Sequence, residues 1–176
     1  MDGLGTELPQ RGTITWILVA AATVFVVPCL RTARRALDES GGTAAGFWGM
    51  TAVMVLLLVV LPLLVARSIH QRHTYLSDDA VTVTSGDDRR RIDFAALEEV
   101  KVRYSTRGGQ VFSNEKVFLV GQLADGRRGV VVVSRFYVES LQPLLERLAV
   151  EVGQRPGLLS DETERGYFEY AVSTAL

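Results

Sequence analysis

A chain of 176 residues with a formal net charge of −1 has room for one ordinary domain and a membrane anchor. The near-neutral balance argues against a dedicated nucleic-acid binder, which carries a basic excess. A single cysteine, Cys29, excludes an intrachain disulfide and a cysteine-based zinc site, and fits a reducing compartment. The hydrophobic share, 48%, is ordinary, but it is unevenly spread: residues 13–66 are mostly apolar and residues 67–176 carry most of the charge.

Residues 1–12 (MDGLGTELPQRG) are polar and contain glycine and proline, which predicts a disordered lead-in. Thr13–Leu30 is a first apolar run, close to the roughly 20 helical residues that cross a bilayer core. Asp2 and Glu7 ahead of it remove the positive n-region of a signal peptide, and Arg31-Thr32-Ala33-Arg34-Arg35 offers no small-x-small cleavage site. Pro28 before Cys29 departs from a lipoprotein pattern, so Cys29 reads as a small apolar residue inside a span. Residues 31–45, with Gly46, form the connecting loop; Gly41-Gly42 breaks any helix running on from Arg35, and Gly42-x-x-x-Gly46 reads as a loop feature. The second span covers residues 46–66. Its run Phe47–Ala66 has no charge and only Gly49, Thr51 and Pro62 as interruptions, so it lacks the polar face of a soluble core helix. Trp16 and Trp48 suit interfacial positions, Ala20, Ala21 and Ala22 permit close helix approach, and Pro28 and Pro62 mark kinks.

These runs predict a two-helix transmembrane hairpin, hence a multi-pass protein of the cell membrane with both termini on one side. Arg31, Arg34 and Arg35 in the loop balance Arg11, Arg67 and Arg72 at the other ends. Arg89–Arg91, just beyond that window, tip the expectation towards a cytoplasmic C-terminal domain. Arg67–His73 is expected to prolong the second helix into the headgroup layer, with Arg67 and Arg72 meeting phosphates. On such a helix His70 and His73 share a face, but two histidines alone are a poor metal site.

From Tyr75 the apolar period becomes two. Val81–Thr84, the turn Ser85-Gly86-Asp87-Asp88 and Arg89–Phe94 predict a hairpin. Leu97–Tyr104 is a further strand, followed by a turn at Arg107-Gly108-Gly109-Gln110. Lys116–Leu123 and Gly129–Ser134 are strands joined through Asp125-Gly126. In Glu139–Val152 the period becomes helical: Leu141, Leu144, Leu145, Leu148 and Val152 make one stripe, with Glu146, Arg147 and Glu151 on the other side. Pro143 fits the first turn and Gly153 a C-cap. Residues 154–176 read as a mildly acidic tail that is disordered or lies against the domain through Tyr167, Phe168 and Tyr170, with a docking motif at these aromatics as the alternative. The fold class expected is a membrane α-helical hairpin followed by an α+β domain at residues 74–153. That domain is a small antiparallel sheet, or partly open barrel, capped by a helix.

Tyr75-Leu76-Ser77-Asp78-Asp79-Ala80-Val81-Thr82-Val83, Ile92-Asp93-Phe94-Ala95-Ala96-Leu97-Glu98-Glu99-Val100, Gly129–Phe136 and the helix at Glu139–Val152 form a pattern of apolar positions. With the preceding hairpin, it resembles the bacterial pleckstrin-homology-like domains of the YcxB-like group, over residues 70–153. The resemblance implies a partly open barrel closed by the helix, and it imports no ligand site.

No phosphate-binding glycine loop, G-x-S-x-G, H-E-x-x-H or soluble Cys–His pair is present, and Asp78-Asp79 and Asp87-Asp88 are explained as turn residues. The reading is therefore a non-catalytic protein without cofactor or metal, presenting an interaction module to a membrane-associated protein partner. Two alternatives stand beside it. One is an anionic-lipid sensor using Arg67, Arg72, Arg89, Arg90, Arg91, Arg127 and Arg128. The other is a structural subunit of a larger membrane complex.

Overall fold

The computed structural model describes residues 4–103 and 115–175. The chain divides into two compact units: one is Gly12–His70, the other is Met1–Arg11 together with Gln71–Leu176.

The first unit is a helical pair. Helix α1 spans Gly12–Asp38, and a second continuous helix spans Gly41–His70. The latter consists of α2 (Gly41–Met54), a π-helical stretch (Val55–Val60) and α3 (Leu61–His70). Both are long and apolar enough to cross a membrane; at 1.5 Å per residue each exceeds the ~30 Å hydrocarbon core. The predicted loop over residues 31–46 contracts to Glu39-Ser40, because the Arg- and Ala-rich stretch after Leu30 is good helix material and continues α1. The break falls at Gly41, whose φ of +66° suits glycine. Ala22, Cys29 and Ala36, seven residues apart, are buried, and of the three consecutive alanines expected to allow close approach only Ala22 is. That repeat keeps small side chains on one side of α1, where it meets its partner. Large apolar side chains such as Trp16, Val24, Leu56, Leu57 and Leu64 point outward. The π-helical stretch ends just before Pro62, with Leu61 N–H reaching Leu56. Widening the helix there relieves the clash of the proline ring with the preceding turn.

The second unit is a six-stranded antiparallel sheet in the order β1-β2-β3-β4-β5-β6. Its strands are β1 (Thr6–Glu7), β2 (Arg72–Leu76), β3 (Ala80–Ser85), β4 (Asp88–Arg103), β5 (Lys116–Leu123) and β6 (Arg128–Ser134). β1 pairs with β2, Leu8 is buried in the core, and its N–H donates to Thr74 O at 2.8 Å. The expected lead-in thus supplies a strand, because Leu8 is apolar enough to join the core and the edge of β2 needs a partner. The helical pair is an insertion between two neighbouring strands.

The second helix stops at His70, short of the expected His73. Arg72 and His73 enter β2, where they pair with Ser85 and Thr84. The two strands expected over Arg89–Phe94 and Leu97–Tyr104 are one long β4, bent by register shifts between Ile92 and Glu99. At the bend a Cβ on Gly121 would lie 2.3 Å from Ala96 O, so only glycine allows β5 to approach there. The turns at Gly86 and Gly126 have positive φ, as their hairpins require. The predicted turn at Arg107–Gln110 lies outside the described residues.

Helix α4 (Gln142–Gln154) carries Pro143 in its first turn. Leu141, Leu144, Leu145 and Leu148 pack with Val81, Ile92, Phe94, Val100, Val117, Leu119 and Val131 to form the core. Two details differ from expectation. Gly153 lies within α4 rather than capping it, because the helix runs on to Gln154. Glu151 is buried, held between Arg147 (2.8 Å) and Arg155 (2.6 Å). The predicted tail is also folded: a 3-10 turn (Pro156–Leu158) leads into α5 (Glu162–Ala175). Asp161 caps α5 by accepting Glu164 N–H at 2.7 Å. Leu158, Leu159, Phe168 and Ala171 give the segment an apolar side, and they are buried in the core.

Candidate functional site

Among the described residues β6 is the last strand of the meander and pairs only with β5. Its backbone groups alternate in direction. Arg127 O and Arg135 N–H are bonded on the β5 side, to Leu123 N–H (2.8 Å) and Glu115 O (3.0 Å). Those of Arg128, Val130, Val132 and Ser134 therefore face outward. Ser134 O accepts Tyr137 N–H at 2.9 Å, and Val132 O accepts Arg72 Nη2 at 2.8 Å. Among the described residues, Val130 N–H and C=O have no partner.

The sheet curls so that this edge faces the strands at its beginning. At one end it closes: Gln10 bridges to Val138, Glu139 N–H reaches Pro9 O (2.9 Å), and Arg11 N–H reaches Tyr137 O (3.1 Å). Towards Val130 it opens into a cleft of about 850 Å³. Val83, Phe118, Val130, Val132, Phe136 and Tyr137 give the cleft apolar walls. Its charged lining residues are Arg72, Arg90 and Lys116 against Asp88. The Arg72 guanidinium also lies over the Tyr137 ring, 4.4 Å from its centre, which holds the side chain across the seam. Next to the closed end, Gln10 Nε2 donates to Arg72 O (2.7 Å), and His73 Nδ1 lies 2.6 Å from Glu7 Oε1.

A second cleft, about 630 Å³, adjoins the first and shares Asp88, Arg90 and Val130 with it. Here the β3–β4 and β5–β6 turns come together, bringing Arg89, Arg90 and Arg91 beside Arg127 and Arg128. Carboxylates answer most of this charge. Arg90 pairs with Asp88 (3.1 Å), Arg91 with Asp79 (3.2 Å) and Asp93 (3.0 Å), Arg127 with Asp125 (2.7 Å), and Arg128 with Glu98 (2.8 Å). Among the described residues Arg89 has no such partner. The Ser77 hydroxyl, with Arg91 assisting, holds the Asp79 carboxyl below its ordinary range. The backbone N–H of Arg127 and then its guanidinium do the same for Asp125.

The arginines singled out by sequence therefore separate into three places. Arg89, Arg90, Arg91, Arg127 and Arg128 share the second cleft, Arg72 spans the first, and Arg67 belongs to the helical unit on α3. Lys116, Phe118, Val130 and Tyr137 belong to no motif in the sequence. The one signal they carry is the valine run of β6, and that run does not reveal which strand lies at an edge. Among the described residues no group of three or more His, Cys, Asp or Glu side chains is placed to hold a metal ion. No family model, curated protein or solved structure matches this chain.

Proposed function

We propose that this chain is a two-span integral membrane protein whose sheet unit is a non-catalytic, pleckstrin-homology-like docking module for a membrane-associated protein partner. The observation that carries the reading is an open, basic and apolar cleft beside a strand edge where, among the described residues, Val130 N–H and C=O have no partner, in a unit that one residue, Gln71, joins to a long apolar helix. In this reading the outward apolar side chains of the helical pair face lipid. The connections at Arg11 and Gln71 tether the module to the membrane, and tethering raises its effective concentration for other membrane proteins. The pleckstrin-homology-like assignment draws on the strand meander and the closing helix α4, and on the sequence resemblance over residues 70–153.

The test is alkaline carbonate extraction of the full chain from cells, with a reporter active on only one side of the membrane fused after the last residue. Retention in the pellet with a cytoplasmic signal is the expected result. Release into the supernatant overturns the membrane reading, and an extracytoplasmic signal moves the module and its partner to the other face.

The convergence of Arg89–Arg91 with Arg127 and Arg128 favours a second reading, contact with anionic lipid headgroups. The five surrounding carboxylates weaken it and leave Arg89, among the described residues, as the arginine of the group without a carboxylate partner. Flotation with phosphatidylglycerol vesicles tests it: binding falls in Arg89→Ser if the reading holds and is unchanged if it does not.

A further inference from the structure

We infer that the edge of β6 around Val130 takes a short extended segment of the partner protein, one with aliphatic side chains on alternate residues and at least one carboxylate. This rests on the reading of the sheet unit as a docking module and names the site and the chemistry of the occupant.

Three observations carry the inference. The first is the backbone. An unpaired N–H and C=O on a half-exposed valine at a sheet edge form a template for another strand. Natural edges are usually blunted by a lysine, a proline or a bulge, and Val130 and Val132 carry none of these.

The second is Arg72. Its Nη2 donates to Val132 O from across the seam, so a side chain stands where a neighbouring strand's N–H would be. An incoming strand replaces that donor with its own N–H and offers a carboxylate to the released guanidinium. The number of hydrogen bonds is conserved, and a charge-assisted pair is gained.

The third is the balance of charge and apolar surface. Phe118 is the cross-strand partner of Val132, and Val120 that of Val130, so one face of an added strand meets an apolar row. Val83 lies on the other side of the cleft. Arg72, Arg90 and Lys116 outnumber Asp88 at the lining, and among the described residues Lys116 has no ion-pair partner. That excess selects an acidic segment. It also disfavours a second copy of this chain, whose own β6 would bring Arg128 and the same cations into the seam. The occupant pairs over a few residues only, because the seam closes beyond Ser134 at the Gln10–Val138 bridge.

The experiment selects binders from a display library of short random peptides against the full chain in detergent. It then measures the selected peptides by fluorescence anisotropy on three proteins: the native chain, Val130→Pro and Lys116→Glu. Val130→Pro removes an N–H that points away from β5, so the β5–β6 ladder survives. The expected result is a set of peptides alternating aliphatic residues with Asp or Glu. Their affinity drops about tenfold or more in each variant, as the loss of one hydrogen bond or one charge pair predicts. Unchanged thermal unfolding confirms that the variants are folded. Peptides that bind Val130→Pro as well as the native chain overturn this site and leave the docking module standing elsewhere. The absence of any selected peptide overturns both. A native dimer that Val130→Pro dissociates assigns the edge to a second copy and overturns the acidic segment. Competition by phosphatidylglycerol vesicles that is lost in Lys116→Glu but retained in Val130→Pro assigns the cleft to lipid and likewise overturns it.

Discussion

The side of β4 beyond its bend and the outer edge of β6 both lack a strand neighbour among the described residues, and the protein treats them differently. Beyond its bend, β4 outruns β3: Phe94 N–H still donates to Asp79 O at 2.7 Å, and from Phe94 O to Arg103 the free side is covered by the segment that follows α4. Arg155 donates to Phe94 O at 2.6 Å and to Ala95 O at 3.3 Å, and Glu164 on α5 accepts Val102 N–H at 3.1 Å. Buried Phe168 and Ala171 fasten that cover to the core. Among the described residues, the edge of β6 has one guanidinium, Arg72, at Val132 and nothing at Val130. The first edge has been built out of reach of other chains, while the second is open in a cleft with a charge preference. That contrast separates a structural edge from a candidate binding edge more firmly than any single residue does.

The largest effect expected on the covered side comes from Phe168→Ala. Removing a buried ring that holds α5 down costs about 3–5 kcal/mol, enough to release the cover of β4 and lower the denaturation midpoint steeply. An unchanged midpoint means that α5 is not part of the cooperative unit. Arg155→Ala comes next, at roughly 2 kcal/mol, since hydrogen bonds to charged groups are worth about 1.5–3 kcal/mol and Glu151 is left buried with one partner fewer. Native-state hydrogen exchange reads it directly: amides of β4 after Phe94 exchange faster in this variant, while those of β6 do not.

Glu151 makes the same contrast dependent on pH. The hydrogen bond from Arg155 leads in lowering its carboxyl below the ordinary value of 4.5, with Arg147 adding to it and burial opposing. A carboxylate whose folded value is depressed stabilises above its unfolded value, and that contribution is lost as pH falls through the folded value. Glu151→Gln should therefore melt below the native chain at neutral pH, with the two curves converging as the pH drops past 4.5. Parallel curves at all pH values show that the carboxylate's charge does not hold the cover.

What could be seen from the sequence follows the range of the interactions. The alternation in Val81–Thr84, the Asp125-Gly126 turn and the leucine stripe of α4 are local periods, and each element stands close to where the period puts it. The two apolar runs were equally plain, with ends displaced because helix formers flank them. Hidden were the features fixed by distant partners. A two-residue β1 has no period, and the bridge from Gln10 to Val138 joins opposite ends of the sheet unit. Glu151 reads as a surface residue until Arg155 folds back over it. The arginines of two separate turns form one cluster only because both turns lie at the same end of the sheet, and the carboxylates that temper them come partly from Asp79 and Glu98, outside both runs.

The smallest stability effect belongs to the open edge. Val130→Pro should change stability by less than about 1 kcal/mol, because the N–H it removes has no partner among the described residues and the side chain it trims is half exposed. Val131→Pro, one residue on, removes an N–H that points into the β5 ladder and a buried side chain, and should cost about 3 kcal/mol or more. Measured as a pair by urea denaturation, the two variants read the direction of the strand without any ligand. If both destabilise alike, Val130 is bonded in solution, the edge is not open, and the difference between the two edges disappears. If only Val131→Pro destabilises, the outward face of β6 contributes little to folding, and its exposed valine and basic surroundings are left to be explained by binding.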